Sequence, residues 1–196
     1  RDQTLKLARR ARGVTPRELA DAGIHRQVLT RLVAEGRIER VARGVYRLAA
    51  QPITENHGLA VAAAAVPHGV ICLLSALQYH GLGTQLPSAV WLALDRRAWR
   101  PKVAYPPLRI VRYTGAALTQ GIERHTIEGR AVKVYGVAKT LSDCFKYRNK
   151  IGIDVALEAL REAWRRKRFT MDELDRYAAI CRVQRVMQPY LETLTA

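Results

Sequence analysis

The sequence predicts an α+β chain in two domains, and three observations carry that expectation. The first is the order of hydrophobic periodicities. Helical spacing over the opening 34 residues gives way to two short β-rich runs, then to helices, four strand-like runs and helices again. The second is charge. The 196 residues hold 33 Lys+Arg against 17 Asp+Glu, a formal net charge of +16. The first 50 residues hold 12 basic and 5 acidic groups and the remaining 146 hold 21 and 12, so charge density at the N-terminus is about twofold higher. The third is a small-residue run closed by proline at Ala49-Ala50-Gln51-Pro52, which marks a joint. The expected domains are therefore 1–50 and 51–196. A hydrophobic fraction of 48% excludes general disorder.

The N-terminal elements follow in order. Asp2–Ala11 reads as a helix stopped by Gly13. Thr15-Pro16 starts a second: a hydroxyl cap, proline at the first helical position, and Glu18 completing a capping box. It ends at Ala22-Gly23. His25–Ala34 is a third helix whose apolar face is Ile24, Val28, Leu29, Leu32 and Val33. Arg37–Val41 and Val45–Leu48 flank Ala42-Arg43-Gly44 and form a hairpin. Two short helices joined by a glycine turn and followed by a hairpin describe a winged helix-turn-helix.

The larger part begins with helices at Glu55–Val66 and Val70–His80. No formally charged residue occurs from Asn56 to Leu94, yet Pro67-His68-Gly69 breaks that stretch, so two short buried helices are expected and no membrane span. Strands are expected at Ala89–Leu94, Leu108–Tyr113, Ile122–Ile127 and Arg130–Tyr135, the last two joined by a turn at Glu128-Gly129. Helices follow at Ala138–Arg148, Ile153–Arg166, Thr170–Cys181 and Gln184–Leu194, with Thr170 and Glu173 as a second capping box.

A strongly basic chain expects an anionic partner, and the N-terminal elements make double-stranded DNA the first candidate. Setting aside the apolar face of the third helix leaves His25, Arg26, Gln27, Thr30 and Arg31 outward. Arg suits guanine, Gln suits adenine, and Thr suits a base or a phosphate. Thr15 and Arg17 open the preceding helix, where backbone N–H groups can meet a phosphate. The hairpin carries Arg37, Arg40, Arg43 and Arg47, with Arg43 at its tip. Arg96, Arg97, Arg100 and Lys102, beside Trp91 and Trp99, form a second basic patch.

The strings Gly13-Val-Thr-Pro-Arg-Glu-Leu-Ala20, Gly23-Ile-His-Arg-Gln-Val-Leu-Thr-Arg-Leu32, Glu35-Gly-Arg-Ile-Glu-Arg40 and Arg43-Gly-Val-Tyr46 resemble the N-terminal domain of AbiEi-type antitoxins. Cys72-Leu-Leu-Ser-Ala-Leu77, His80-Gly-Leu82, Val137-Ala-Lys-Thr-Leu-Ser-Asp-Cys144 and Gly152-Ile-Asp-Val-Ala-Leu-Glu-Ala-Leu160 resemble its C-terminal domain. The resemblance covers about residues 10–165. It implies a bacterial antitoxin of a type IV toxin–antitoxin system, linked to abortive infection. Its winged helix would bind inverted repeats in its own promoter as a transcriptional repressor. Its partner would be a nucleotidyltransferase-like toxin, counteracted without a stable complex. It also makes the segment around Thr140 and Asp143 a candidate for antitoxicity.

No enzymatic activity is expected, and no cofactor or metal. A restriction-type nuclease needs Asp followed by Glu-x-Lys, and the nearest imitation, Asp95 with Glu128-Gly-Arg130, lacks the lysine. Ser75 and His80 lie five apart on one helix, on different sides. Ser75 is expected to pack against a neighbouring helix, His80 to cap its own helix end, and Thr140 and Asp143 to bond local backbone. The histidines at 25, 57, 68, 80 and 125 lack zinc-ligand spacing, and Cys72, Cys144 and Cys181 read as buried free thiols in a reducing cytoplasm. The alternative is a winged-helix regulator without a toxin partner, whose C-terminal domain senses a ligand or dimerises.

Overall fold

The structure is a computed structural model that describes residues 2–10, 13–42, 44–49 and 54–195. Among these residues it is a mixed α+β fold of eleven helices and two sheets. The chain divides into two compact units. The first comprises Arg1–Gly69, Arg100–Leu108 and Arg124–Val132, and the second Val70–Trp99, Arg109–Glu123 and Lys133–Ala196. The joint expected near residue 50 thus falls within the first unit, which runs on to Gly69. Residues 50–53 lie outside the described residues.

In the first unit, α1 (Asp2–Arg10), α2 (Pro16–Asp21) and α3 (Gln27–Ala34) precede a hairpin of β1 (Ile38–Ala42) and β2 (Val45–Leu48). The strands pair antiparallel, with a register shift between Arg40 and Ala42. Val14, between α1 and α2, bridges to Tyr46 through two backbone hydrogen bonds, Val14 N to Tyr46 O at 2.6 Å and Tyr46 N to Val14 O at 2.9 Å. The segment before α2 therefore adds a third strand-like edge to the hairpin. Leu5, Ala8, Val14, Leu19, Leu29, Leu32 and Ile38 form the core beneath. Val33, expected on the apolar face of α3, is 39% exposed: at 100° per residue it sits at the edge of that face, about 40° from Leu29 and 100° from Leu32. Helix α4 (His57–Ala65) packs Val61 against Val45 of the hairpin, which is why the first unit extends past residue 50.

The five-stranded sheet has the order β5-β4-β3-β7-β6, formed by β3 (Val70–Ile71), β4 (Val90–Asp95), β5 (Leu108–Tyr113), β6 (Ile122–Ile127) and β7 (Arg130–Tyr135). β3 runs antiparallel to β4 and parallel to β7. The four expected strands are present. Val70–Ile71, expected to open a helix, is the central strand, and the helix α5 (Leu73–His80) begins only after Cys72. Two β-branched residues buried on both faces suit a central strand as well as a helix, and pairing with two neighbours decides between them. The short α6 (Ala116–Thr119) was not expected from the sequence.

Helices α7 (Val137–Lys146), α8 (Arg148–Ile151), α9 (Ile153–Arg165), α10 (Met171–Cys181) and α11 (Gln184–Thr195) complete the second unit. α7 lies at its centre, contacted by α5, α9 and α10. The Thr170–Glu173 capping box opens α10 as expected. Residues 137–145 of α7 are all buried, including Lys139, Thr140, Ser142 and Asp143. The Lys139 ammonium lies 2.6 Å from both Asp143 carboxylate oxygens, and both side chains are 0% exposed. Nζ also faces the rings of Tyr135 at 4.2 Å and Tyr113 at 4.8 Å, and the Cys181 thiol donates to Asp143 Oδ1 at 3.1 Å. Gly121 makes room for this pair. Its φ is +76°, and a Cβ there would fall 2.7 Å from Lys139 Cβ. Among the described residues no helix is long and apolar enough to cross a membrane.

Candidate nucleic-acid interface

α3 divides into a buried apolar face and an exposed polar one. Leu29 and Leu32 are 2% and 0% exposed and fix its inner face, each stabilising the fold by about 1.5–3 kcal/mol through burial. Helical geometry then turns Gln27, Thr30 and Arg31 outward, and all three are exposed. Arg26, whose backbone caps α3 without a side-chain bond, is exposed as well. His25 is exposed but tethered: Gln27 N donates to its Nδ1 at 3.3 Å, so its ring acts as a helix-start cap. Nδ1 is thereby the acceptor, leaving Nε2 as the outward donor.

α2 is set by its capping box. Glu18 N donates to Thr15 Oγ1 at 3.2 Å, and Glu18 Oε2 accepts from Thr15 N at 2.6 Å and Thr15 Oγ1 at 2.9 Å. The other oxygen, Oε1, accepts from Arg130 Nη1 at 3.1 Å. Arg130 is 9% exposed and packs so close to Gly13 that a Cβ there would lie 3.0 Å from Nη2. Arg130 therefore clamps the carboxylate that starts α2, from 112 positions away in sequence. Thr15 is committed to this cap, whereas Arg17 is exposed.

On the hairpin, Arg37 and Arg40 are exposed. Arg47 departs from the expected solvent-facing group. It pairs across the strands with Glu39, its register partner, and its side chain is 12% exposed. Arg43 lies outside the described residues. The β6–β7 turn carries another cluster. Glu128, at φ 51°, accepts from Thr54 N at 3.1 Å and Thr54 Oγ1 at 2.7 Å, and its Oε2 lies 2.8 Å from His57 Nδ1. Burial pushes this carboxyl up, but the hydrogen bonds from His57 and Thr54 outweigh it and hold Glu128 below its ordinary value.

Arg96, Arg97, Arg100 and Lys102 are all exposed; the division between the units falls between Trp99 and Arg100. Trp91 is buried beneath Arg109, whose guanidinium carbon sits 5.2 Å from the ring, while Trp99 is 94% exposed.

The groups weighed for catalysis all have structural partners. Ser75 Oγ accepts from Trp91 N at 3.0 Å, so it ties β4 to α5. His80 Nε2 lies 2.8 Å from the Tyr135 carbonyl oxygen, a partner outside its own helix, and Gly81 in the left-handed region ends α5. Thr140 donates to the Tyr135 carbonyl at 3.0 Å, a local backbone bond as expected. Asp143 instead pairs with Lys139. Asp95 Oδ1 accepts from Arg97 N at 2.8 Å, and Glu128 is held as described. Cys72, Cys144 and Cys181 are free and buried, and burial raises each thiol above its ordinary value.

Sequence reasoning missed Arg130, Thr54, His57 and Glu128 as supports of this region. A position after a hairpin glycine gives no hint of a partner more than a hundred residues earlier.

Residues 2–49 match a family model described as "Transcriptional regulator, AbiEi antitoxin", in agreement with the resemblance drawn from the N-terminal motifs. No curated protein matches the chain. Among solved structures, the chain is similar to the RV2827C protein from Mycobacterium tuberculosis, with a TM-score of 0.60 and 17% identity over 89% of this chain and 69% of that one. That likeness is one of fold.

Proposed function

We propose that this chain is a bacterial DNA-binding transcriptional regulator whose first unit is a winged helix-turn-helix. The observation that carries the reading is the division of α3: Leu29 and Leu32 are buried, while Arg26, Gln27, Thr30 and Arg31 are exposed together. Such a helix enters the major groove with its N-terminal residues at the base edges. Arg31 and Arg26 supply paired donors for guanine, and Gln27 the donor–acceptor pair for adenine. Arg17, Arg37 and Arg40 supply phosphate contacts, which position the protein without reading sequence. The family match over residues 2–49 supports the regulator class.

The finer reading is an antitoxin that represses its own operon in the cytoplasm by binding inverted repeats, and counteracts a nucleotidyltransferase-like toxin. It acts by binding rather than by catalysis. Two copies must occupy one such operator, since each reading helix fills one half-site.

The test of base reading compares Arg31→Ala with Arg37→Ala on operator and random duplexes. Arg31→Ala should lose about 5- to 150-fold on the operator alone, whereas Arg37→Ala should weaken both duplexes and lower the salt slope by about 1. Equal loss on both duplexes for Arg31→Ala removes its base-reading role. The antitoxin reading is tested by co-expression with the product of the adjacent gene, which this reading expects to be nucleotidyltransferase-like. Growth rescue supports it, and its absence leaves a regulator without a toxin partner.

A further inference from the structure

We propose that the second unit carries a separate contact site for unpaired nucleobases, with Trp99 as the stacking platform and Arg96 and Arg97 as its phosphate contacts. Trp99 is 94% exposed, although an indole is among the largest apolar groups a chain can bury. Exposure alone does not carry the inference: Leu86 is 82% exposed, but no basic residue adjoins it in sequence. Trp99 differs in two ways.

It follows two exposed arginines, Arg96 and Arg97, in a chain of net charge +16. Its backbone is anchored on both sides of the turn that presents it. Arg112 Nη1 donates to the carbonyls of Asp95 and Ala98, each at 2.8 Å, Ala98 N donates to Asp95 O at 3.1 Å, and Arg96 N continues the sheet by donating to Tyr113 O at 2.9 Å. The neighbouring Arg97 N is fixed on Asp95 Oδ1 at 2.8 Å. The segment 95–98 that leads into Trp99 is thus fixed, so little order of that segment is lost when the indole is covered. An exposed flat ring two and three positions after exposed arginines offers the two components that a single strand needs, a stacking face and cations for its phosphates. In a regular duplex the base faces are already stacked, so Trp99 addresses unpaired segments, DNA or RNA. This site does not rest on the duplex-reading role of the first unit.

The test uses the full chain with dT20, rU20 and operator duplex as probes. Binding of dT20 should quench tryptophan emission and shield the exposed indole from acrylamide. Trp99→Ala should abolish the quenching and weaken dT20 binding about fivefold or more, while Trp99→Tyr, which keeps a stacking ring, should retain most of the affinity. Arg96→Ala with Arg97→Ala should lower the single-strand salt slope by about 1.4, or 0.7 per lost phosphate contact. Operator-duplex affinity should not change in Trp99→Ala or Trp99→Tyr. Equal results with rU20 would assign the site to unpaired bases of either sugar, and weaker rU20 binding would assign it to DNA. The proposal is overturned if Trp99→Ala binds dT20 like the wild type, if Trp99 stays open to acrylamide in the complex, or if the variant weakens duplex and single strand alike.

Discussion

Removing one member of the buried Lys139–Asp143 pair should cost more than removing both. In Asp143→Ala the ammonium loses two contacts of 2.6 Å at a site where it is 0% exposed. What remains are the faces of Tyr135 and Tyr113 at 4.2 and 4.8 Å, each worth only about 0.5–2 kcal/mol. An unpaired buried charge costs about 3–5 kcal/mol, a large share of the ~5–15 kcal/mol that holds a typical domain together. With a urea m-value of about 2 kcal/mol/M, a loss of ~4 kcal/mol lowers the midpoint by about 2 M. The double variant Lys139→Met with Asp143→Leu removes both charges and keeps apolar bulk, so its stability should stay within about 1 kcal/mol of the wild type, about 0.5 M in midpoint. The assay is urea denaturation followed by the fluorescence of Trp91 and Trp164, both in the second unit. A single variant that loses less than about 1 kcal/mol, or a double variant as unstable as the single, refutes the charge-compensation argument. On the proposed antitoxin reading, a pair that only stabilises the second unit leaves the growth rescue by the double variant unchanged.

Three further outcomes follow from the first unit. Arg130→Met frees Glu18 Oε1 and should cost about 1 kcal/mol after allowing for the 43% exposure of Glu18, with a matching drop in operator affinity; unchanged binding would show that α2 needs no clamp. Thr15→Ala removes the cap of α2 and should cost about 1 kcal/mol in thermal or urea denaturation, whereas Thr15→Ser should cost little. Glu128 is held below its ordinary carboxyl value of 4.5, so its contribution is complete above that pH and fades as pH falls through the folded-state value. Glu128→Gln should therefore flatten the acid limb of the stability curve below about pH 4.5, and an identical limb in both proteins would contradict the arrangement.

Much of the fold is legible locally. Thr15-Pro16-x-Glu18 and Thr170-x-x-Glu173 encode helix starts in four consecutive residues, and both boxes form. Glu128-Gly129 encodes a tight turn through the glycine, which takes φ 75° freely; Glu128 follows at 51°, held by its bonds to Thr54 and His57. What failed was long-range. In α7 the sequence leads to local backbone bonds for Thr140 and Asp143, and the face of Lys139, Thr140, Ser142 and Asp143 is buried whole. α10 covers that face, and pairing between Lys139 and Asp143 lets both charges enter the core. His80 reads as a helix-end cap until β7 brings the Tyr135 carbonyl within 2.8 Å of its ring. For the candidate interface, helical period alone separates Leu29 and Leu32 from Thr30 and Arg31. The cross-strand neutralisation of Arg47 by Glu39 depends on hairpin register, which a bulge between Arg40 and Ala42 shifts.

The central claim is that α3 reads sequence, and fluorescence anisotropy of the full chain at ~150 mM salt tests it most directly, because weak non-specific binding fades there. The protein's own upstream promoter is compared with a scrambled duplex of equal length, and both are repeated with Arg26→Ala/Arg31→Ala. A promoter preference of about a thousandfold or more, collapsing in the double variant, is the predicted result. Equal affinity for both duplexes in the wild type would contradict it, and would assign DNA binding to the +16 net charge alone.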